Sequence, residues 1–134
     1  MKKIELIEGV GEAYAAKLHE VGIVSTEQYL ETCKTKQGRK ELAAKTGIPD
    51  DLILRWTNHA DLFRVKGVAG QYSELLEATG VDTVPELAKR VPENLTAAME
   101  KVNEEKNLVR SVPVLKMVAK WVDQAKQLPR VIEY

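Results

Sequence analysis

The chain contains one segment twice, and this internal repeat limits its possible folds more than any other feature. Residues 7–23 and 65–81 align without a gap at one constant offset of 58 residues, as from Gly9 to Gly67. The other matched pairs are Tyr14 with Tyr72, Leu18 with Leu76 and Gly22 with Gly80. Because chance rarely preserves turn glycines and aromatic residues together, we interpret the repeat as a duplication of one helical unit.

The residues that follow each glycine turn have the spacing of an α-helix. Ala15, Leu18 and Val21 recur at helical intervals, and Gly22 stands where a left-handed C-terminal cap belongs. We name the two turns the first hairpin (residues 7–12) and the second hairpin (residues 65–70). Each repeat is therefore predicted to be a turn followed by a helix.

The alignment continues into a second helix start in each copy. Ser25 with Gln28, and Thr83 with Glu86, both fit the capping-box pattern, in which a hydroxyl residue is followed three positions later by Glu or Gln. After the first of these helices, residues 34–40 carry four positive charges and no negative one. That composition is typical of a solvated loop that leads into a helix.

Each half of the chain also contains a later helix that starts near a proline and carries a tryptophan. Pro49 precedes Trp56, and Pro113 precedes Trp121. No segment shows the period-two alternation of a β-strand. We predict an all-α fold in which residues 1–61 form the first half and 62–134 the second, with the two halves packed together. Both tryptophans, Tyr14 and Tyr72 are expected to pack in the core rather than to stack on bases.

Charge and cysteine content exclude several classes of protein. Lys and Arg together number 20, Asp and Glu together number 20, and the formal net charge is zero. This balance argues against a surface built as a whole for nucleic acid or an anionic membrane, although local patches are compatible with it. With the single Cys33, no signal peptide and no apolar run of about 20 residues, the sequence predicts a cytoplasmic protein without a membrane span.

The Gly-Val-Gly turn at residues 9–11 resembles the helix-hairpin-helix motif. In that motif small residues permit a tight turn, and the following helix presents free N–H groups to an anion, often a DNA phosphate. Over nearly its full length the chain is similar to the domain-of-unknown-function family DUF4332. The similarity rests on both hairpins and on residues 46–48, 56–62, 92–95, 102–106 and 128–129. The resemblance implies tandem helix-hairpin-helix repeats and, as the family name indicates, no established activity.

The two hairpins differ in charge. Glu8 and Glu12 flank the Gly-Val-Gly turn of the first, where a carboxylate would repel a phosphate, whereas Arg64 and Lys66 come before Gly67 in the second. We therefore predict that the first hairpin is structural and that the second binds an anion. Arg64 and Lys66 would supply charge, and the backbone donors would come from Gly67, Val68, Ala69 and Gly70. Ala69 replaces a glycine and fits only if its φ angle is negative.

A second basic region lies near the end of the chain. Residues 106–130 contain six Lys and Arg residues against Asp123 alone. Lys116 and Lys120 lie one turn apart on the polar side of the last predicted helix. A solvated helix face is the simpler explanation. If folding places this face beside the second hairpin, Lys116 and Lys120 join the candidate anion-binding site.

Enzyme chemistry has little support in the residues. His19 and His59 lack other ligands at metal-binding spacing, so no metal is predicted. There is no catalytic triad or P-loop, and the Gly-Val-Gly turn lacks the strand and third glycine of a dinucleotide site, so no catalytic residue, cofactor or small-molecule substrate is predicted. Two interpretations remain open. One is a non-enzymatic binder of the DNA or RNA backbone, weak and salt-dependent; the other is a protein-interaction or scaffold module with purely structural hairpins.

Overall fold

The computed structural model describes residues 2–68 and 70–134. Over these residues the chain forms one short 3-10 helix and eight α-helices, with an isolated bridge between Lys3 and Ser25 and no strand. The elements are η1 (Ile4–Leu6), α1 (Glu12–Glu20), α2 (Thr26–Cys33), α3 (Lys36–Thr46), α4 (Asp50–Leu62), α5 (Gln71–Ala78), α6 (Val84–Ala88), α7 (Pro92–Lys106) and α8 (Leu115–Gln127). The all-α prediction is confirmed.

The chain divides into two compact units near the end of α4. Unit 1 contains Met1–Asp61 together with Val131–Tyr134, and unit 2 contains Leu62–Arg130. The chain thus leaves unit 1, forms the whole of unit 2, and returns to unit 1 for four residues. The boundary drawn from the sequence assigns these last four residues to the second half instead.

The core of unit 1 is built around Trp56 on α4. This side chain is fully buried, with the Tyr14 ring 5.2 Å and the Tyr29 ring 6.4 Å from its own, both in edge-on geometry. The Tyr29 hydroxyl donates a 2.8 Å hydrogen bond to the Ile53 carbonyl. Such pairings satisfy a polar group inside the core while the aromatic rings supply most of the buried apolar surface.

Trp121 on α8 has the corresponding role in unit 2. It is buried, with the Tyr72 ring 5.4 Å away, and the helices α6 and α7 pack against α8. The remaining buried residues of this core are largely Leu and Val side chains from α4 through α8. The core positions predicted for both tryptophans are confirmed, while Tyr14 and Tyr72 are half-buried at the edge.

The capping-box prediction is correct for α2 and wrong for α6. At α2 the Gln28 N–H donates to the Ser25 hydroxyl at 3.1 Å, and the Ser25 N–H donates to the Gln28 side chain at 3.2 Å. At α6 the Thr83 hydroxyl donates instead to the Glu86 carboxylate at 3.1 Å and makes no capping bond to the backbone. A carboxylate is a strong hydrogen-bond acceptor, and the Thr83 hydroxyl is oriented toward it rather than toward the helix N–H groups.

More of the basic segment 34–40 is helical than its composition predicts. Helix α3 begins at Lys36, because Thr35 is its N-cap and accepts a hydrogen bond from the Gly38 N–H at 3.0 Å. The segment does lead into a helix, as predicted, but the helix begins at Lys36, inside the segment. Thr35 is a good N-cap residue, and the charges around it conceal that signal.

Candidate functional site

The backbones of the two hairpins follow the same hydrogen-bond pattern. In the first hairpin the Ile7 N–H donates to the Ile4 carbonyl and the Val10 N–H to the Ile7 carbonyl, at 3.2 and 3.1 Å. The corresponding bonds of the second hairpin are Val65 to Leu62 and Val68 to Val65, at 3.0 and 3.2 Å. Each residue of the second hairpin in these bonds follows its counterpart in the first by 58 positions, which is the offset of the sequence repeat.

Each hairpin glycine packs directly against the tryptophan of its own unit. Gly9 and Gly67 have φ angles of 95° and 92°, a region that residues with a Cβ rarely adopt. A Cβ on Gly9 would lie 3.2 Å from Nε1 of Trp56, and one on Gly67 would lie 3.0 Å from Nε1 of Trp121. Backbone conformation and close packing therefore both require glycine, whether or not a ligand binds.

Helix α8 lies beside the second hairpin. The Lys66 N–H donates to Oε1 of Gln124 at 3.0 Å, and Nε2 of Gln124 reaches the Lys66 carbonyl at 3.5 Å. Lys120 is exposed one turn before Gln124, and Lys116 is exposed one turn earlier still, about 12 Å along the helix axis from Gln124. The sequence left open whether the C-terminal basic helix reaches this hairpin, and the structure places the two side by side.

Arg64 has a different environment from Lys66. Its Nη2 donates a 2.9 Å hydrogen bond to the Pro129 carbonyl, just beyond the end of α8, and the residue is partly buried. The Lys66 side chain is exposed. Of the two cations predicted to bind an anion at the second hairpin, Arg64 thus also ties the hairpin to the segment after α8, and Lys66 faces solvent.

The residues predicted to supply backbone donors also differ in exposure and in hydrogen bonding. Val68 is fully buried and its N–H donates to the Val65 carbonyl, so that group already has an internal acceptor. Gly67 is exposed, and Gly70 is the N-cap of α5 with no capping side chain. Ala69 lies outside the described residues. A phosphate at this turn would therefore be met by the exposed Gly67, by Gly70 and by the first turn of α5.

Sequence reasoning did not identify Gln124 as a member of this site. It lies with Lys120 and Asp123 along a cleft of about 430 Å³ that Gln127 and Leu128 complete. Asp123 adds one negative charge to this otherwise basic side of α8. The only sequence signal for Gln124 is its position three residues after Trp121, which places it on the adjoining face of the helix.

Acidic residues line the corresponding turn of the first hairpin. Glu12 is the first residue of α1 and is exposed, and Glu8 is half-buried just before Gly9. A carboxylate in the first turn of a helix interacts favourably with the positive end of the helix dipole. The first hairpin therefore carries its own negative charge where an external anion would bind.

Other kinds of site find no support in the part of the chain that the structure describes. Burial raises the pKa of the Cys33 thiol to about 11, which leaves it protonated at neutral pH. The described residues contain no group of three or more His, Cys, Asp and Glu side chains that could hold a metal ion. None of the described helices is long and apolar enough to cross a membrane.

Comparison with known proteins identifies a family and nothing beyond it. No curated protein and no solved structure matches this chain significantly. The family model described as a domain of unknown function (DUF4332) matches residues 8–128, a stretch that includes most of the first hairpin, the whole second hairpin and all of α8. The chain therefore belongs to the DUF4332 family.

Proposed function

We propose that this chain is a non-enzymatic protein with tandem helix-hairpin-helix repeats, and that it binds the phosphate backbone of DNA or RNA without sequence specificity. The binding surface is the second hairpin together with the adjacent face of α8. The observation that carries the proposal is the pairing of Gln124 with the backbone of Lys66. Since Lys120 and Lys116 precede Gln124 by one and two turns of α8, this pairing supports a basic surface shared by the hairpin and the helix.

The charges of this surface suit a weak contact with phosphates. Lys66, Lys120 and Lys116 are all exposed, and together they can neutralise two or three phosphates. Raising the salt fourfold should then weaken binding to duplex DNA by about 10-fold for two contacts and about 40-fold for three. A protein of zero net charge has no long-range attraction to add, so micromolar affinity at low salt is expected.

Backbone groups provide the second part of the interaction. The start of α5 follows Gly70 directly, and its unsatisfied N–H groups and dipole favour an anion. Arg64 contributes positive potential from its position on the Pro129 carbonyl. These contacts involve only phosphate and charge, which is why the proposed binding is independent of base sequence.

The test is a fluorescence-anisotropy titration of labelled duplex DNA, single-stranded DNA and RNA at about 50 and about 200 mM salt. Lys66→Ala/Lys120→Ala should lower affinity at least tenfold and reduce the salt slope by about 2. Lys36→Ala/Lys45→Ala is the matched control, because it removes the same charge from exposed positions on α3 in unit 1. Equal losses in both variants would contradict a site at the second hairpin.

One observation favours the alternative of a protein-interaction or scaffold module. Both hairpin glycines are required by their packing against Trp56 and Trp121, and the Val68 N–H has an internal acceptor. The hairpins are thus fully explained as structural turns. Absence of binding to all three nucleic acids at 50 mM salt would select this alternative, and a protein partner retained at high salt would support it.

A further inference from the structure

Residues 131–134 form neither helix nor strand, yet they contact the rest of unit 1 as a bound extended peptide would. The Glu133 N–H donates to the Lys34 carbonyl at 2.7 Å, and the Glu133 carbonyl accepts from Nη2 of Arg39 at 2.7 Å. Ile132 is only 3% exposed, whereas the Glu133 side chain faces solvent. Paired backbone groups with one buried neighbouring side chain are the features by which proteins recognise extended peptides.

Tyr134 completes the contact. Its hydroxyl donates a 2.6 Å hydrogen bond to Oδ1 of Asn58, and the Arg39 guanidinium lies 5.8 Å from the centre of its ring. The ring borders a cleft of about 330 Å³ whose other walls come from α3 and α4. The segment thus presents one buried aliphatic side chain, a pair of backbone hydrogen bonds and an exposed tyrosine held through its hydroxyl, all within four residues.

The receiving surface and the docked segment are far apart in the chain. Arg39 and Glu133 are separated by 94 positions, and the whole of unit 2 lies between them in sequence. Since the segment is covalently tethered, it binds its site intramolecularly, at an effective concentration that a free segment would have to exceed. The site is therefore filled in cis at ordinary protein concentrations.

We propose that Lys34, Arg39 and Asn58 form a receptor for an extended segment with an aliphatic residue followed two positions later by tyrosine. Residues 131–134 fill it in cis. When that segment is displaced, the receptor binds the same segment of a second copy of the chain. The second copy is the occupant that the structure favours, because its residues 131–134 carry every group that the receptor contacts, and exchange of an identical element is a low-cost route to a dimer.

Two complementary variants test this exchange. Arg39→Ala/Asn58→Ala damages the receptor and keeps the segment, and Ile132→Ser/Tyr134→Ser damages the segment and keeps the receptor. Each variant alone should be monomeric by light scattering at about 200 μM, and an equimolar mixture should contain a heterodimer. A mixture that stays monomeric while both variants are folded by circular dichroism would overturn the proposal.

A labelled synthetic peptide with the sequence of residues 128–134 provides the second measurement. In anisotropy titrations the segment-deficient variant should bind it at least tenfold more tightly than the wild type does. Adding Arg39→Ala to that variant, or Ser in place of Ile132 in the peptide, should abolish binding. If Ile132→Ser prevents folding, the single variant Tyr134→Ser takes the place of the double variant. Tyr134 is 59% exposed, so its substitution should not disturb the core. A folded variant that binds no peptide at about 1 mM would contradict a receptor.

Discussion

The two hairpins of this chain share one backbone and carry opposite charges. Gly9 and Gly67 have nearly the same φ angle, and each packs against the indole of its own unit. Yet Glu8 stands where the second hairpin has Lys66, and Glu12 where it has Gly70. The difference shows that the glycines and tryptophans set the shape of the turn, whereas the residues around them set the charge that it presents.

The difference extends to the helices that carry the tryptophans. Three residues after Trp121, Gln124 binds both backbone groups of Lys66. Three residues after Trp56 the chain has His59, which is fully buried in unit 1. The second hairpin is thus joined to a helix with exposed lysines. The first belongs to a unit whose helix has two aspartates, Asp50 and Asp51, in its first turn.

The largest expected effect on stability comes from removing the core tryptophan that each unit contains. Trp56→Ala and Trp121→Ala should each destabilise the protein by about 3–5 kcal/mol, because each removes a buried indole that no other side chain can replace. Each variant retains one of the two tryptophans, and that residue reports on the other unit in urea unfolding followed by fluorescence. Far-ultraviolet circular dichroism follows both units together.

A loss below about 1 kcal/mol for either variant would break the equivalence of the two units. We expect Trp56→Ala to be the more damaging, because the Trp56 ring contacts both the Tyr14 ring and the fully buried Tyr29 ring. The reverse order would mean that the Tyr29 contact adds little.

Substitution of the hairpin glycines should have the next largest effect on stability. Gly67→Ala and Gly9→Ala should each cost about 1–3 kcal/mol from the positive φ angle, with an added cost from contact with the indole. Gly22 is the matched control in unit 1, since its φ angle is 85° and a Cβ there meets nothing within 4 Å. Urea midpoints should therefore fall less for Gly22→Ala than for Gly9→Ala, and equal values would mean that the indole contact is unimportant.

Much of this arrangement could be predicted from the sequence because it depends on local signals. The offset between the repeats identified both hairpins, the glycines at helix ends and the helices that follow them. The correspondence of Trp56 with Trp121 was also correct, although a longer α7 and a longer connection from α7 to α8 shift it from the offset of the hairpins. Spacing and glycine placement act through backbone geometry, which a sequence displays directly.

The parts that could not be predicted depend on contacts between distant residues. The bond from Gln124 to the Lys66 backbone spans 58 positions, and that from Arg64 to the Pro129 carbonyl spans 65. Neither has a pattern in the sequence, since almost any polar side chain could make such a bond if the fold placed it there. The return of residues 131–134 to unit 1 belongs to the same class.

Giving the first hairpin the charges of the second should have a moderate effect on affinity for DNA. Glu8→Lys/Glu12→Gly gives the first hairpin the charges of the second, and should raise affinity for duplex DNA at low salt by about three- to fivefold. Glu20→Lys/Glu41→Ala is the control, with the same change in net charge at exposed helix positions of unit 1. An equal gain in the control would show that net charge alone is responsible. No gain in either would show that the turn needs the α8 lysines.

The smallest expected effect is the difference in stability cost between the two helix starts that follow the repeats. Ser25→Ala should cost about 1 kcal/mol, because Ser25 accepts the Gln28 N–H and this bond satisfies a backbone donor that has no partner within the helix. Thr83→Ala should cost less, since the Thr83 hydroxyl donates only to the Glu86 side chain and the backbone of α6 loses no partner. Thr83→Ser, which keeps the hydroxyl, is the control for the lost methyl group. Equal costs in urea unfolding for Ser25→Ala and Thr83→Ala would mean that Thr83 caps α6 in solution, and the two repeats would then be alike in their helix starts and different only in charge.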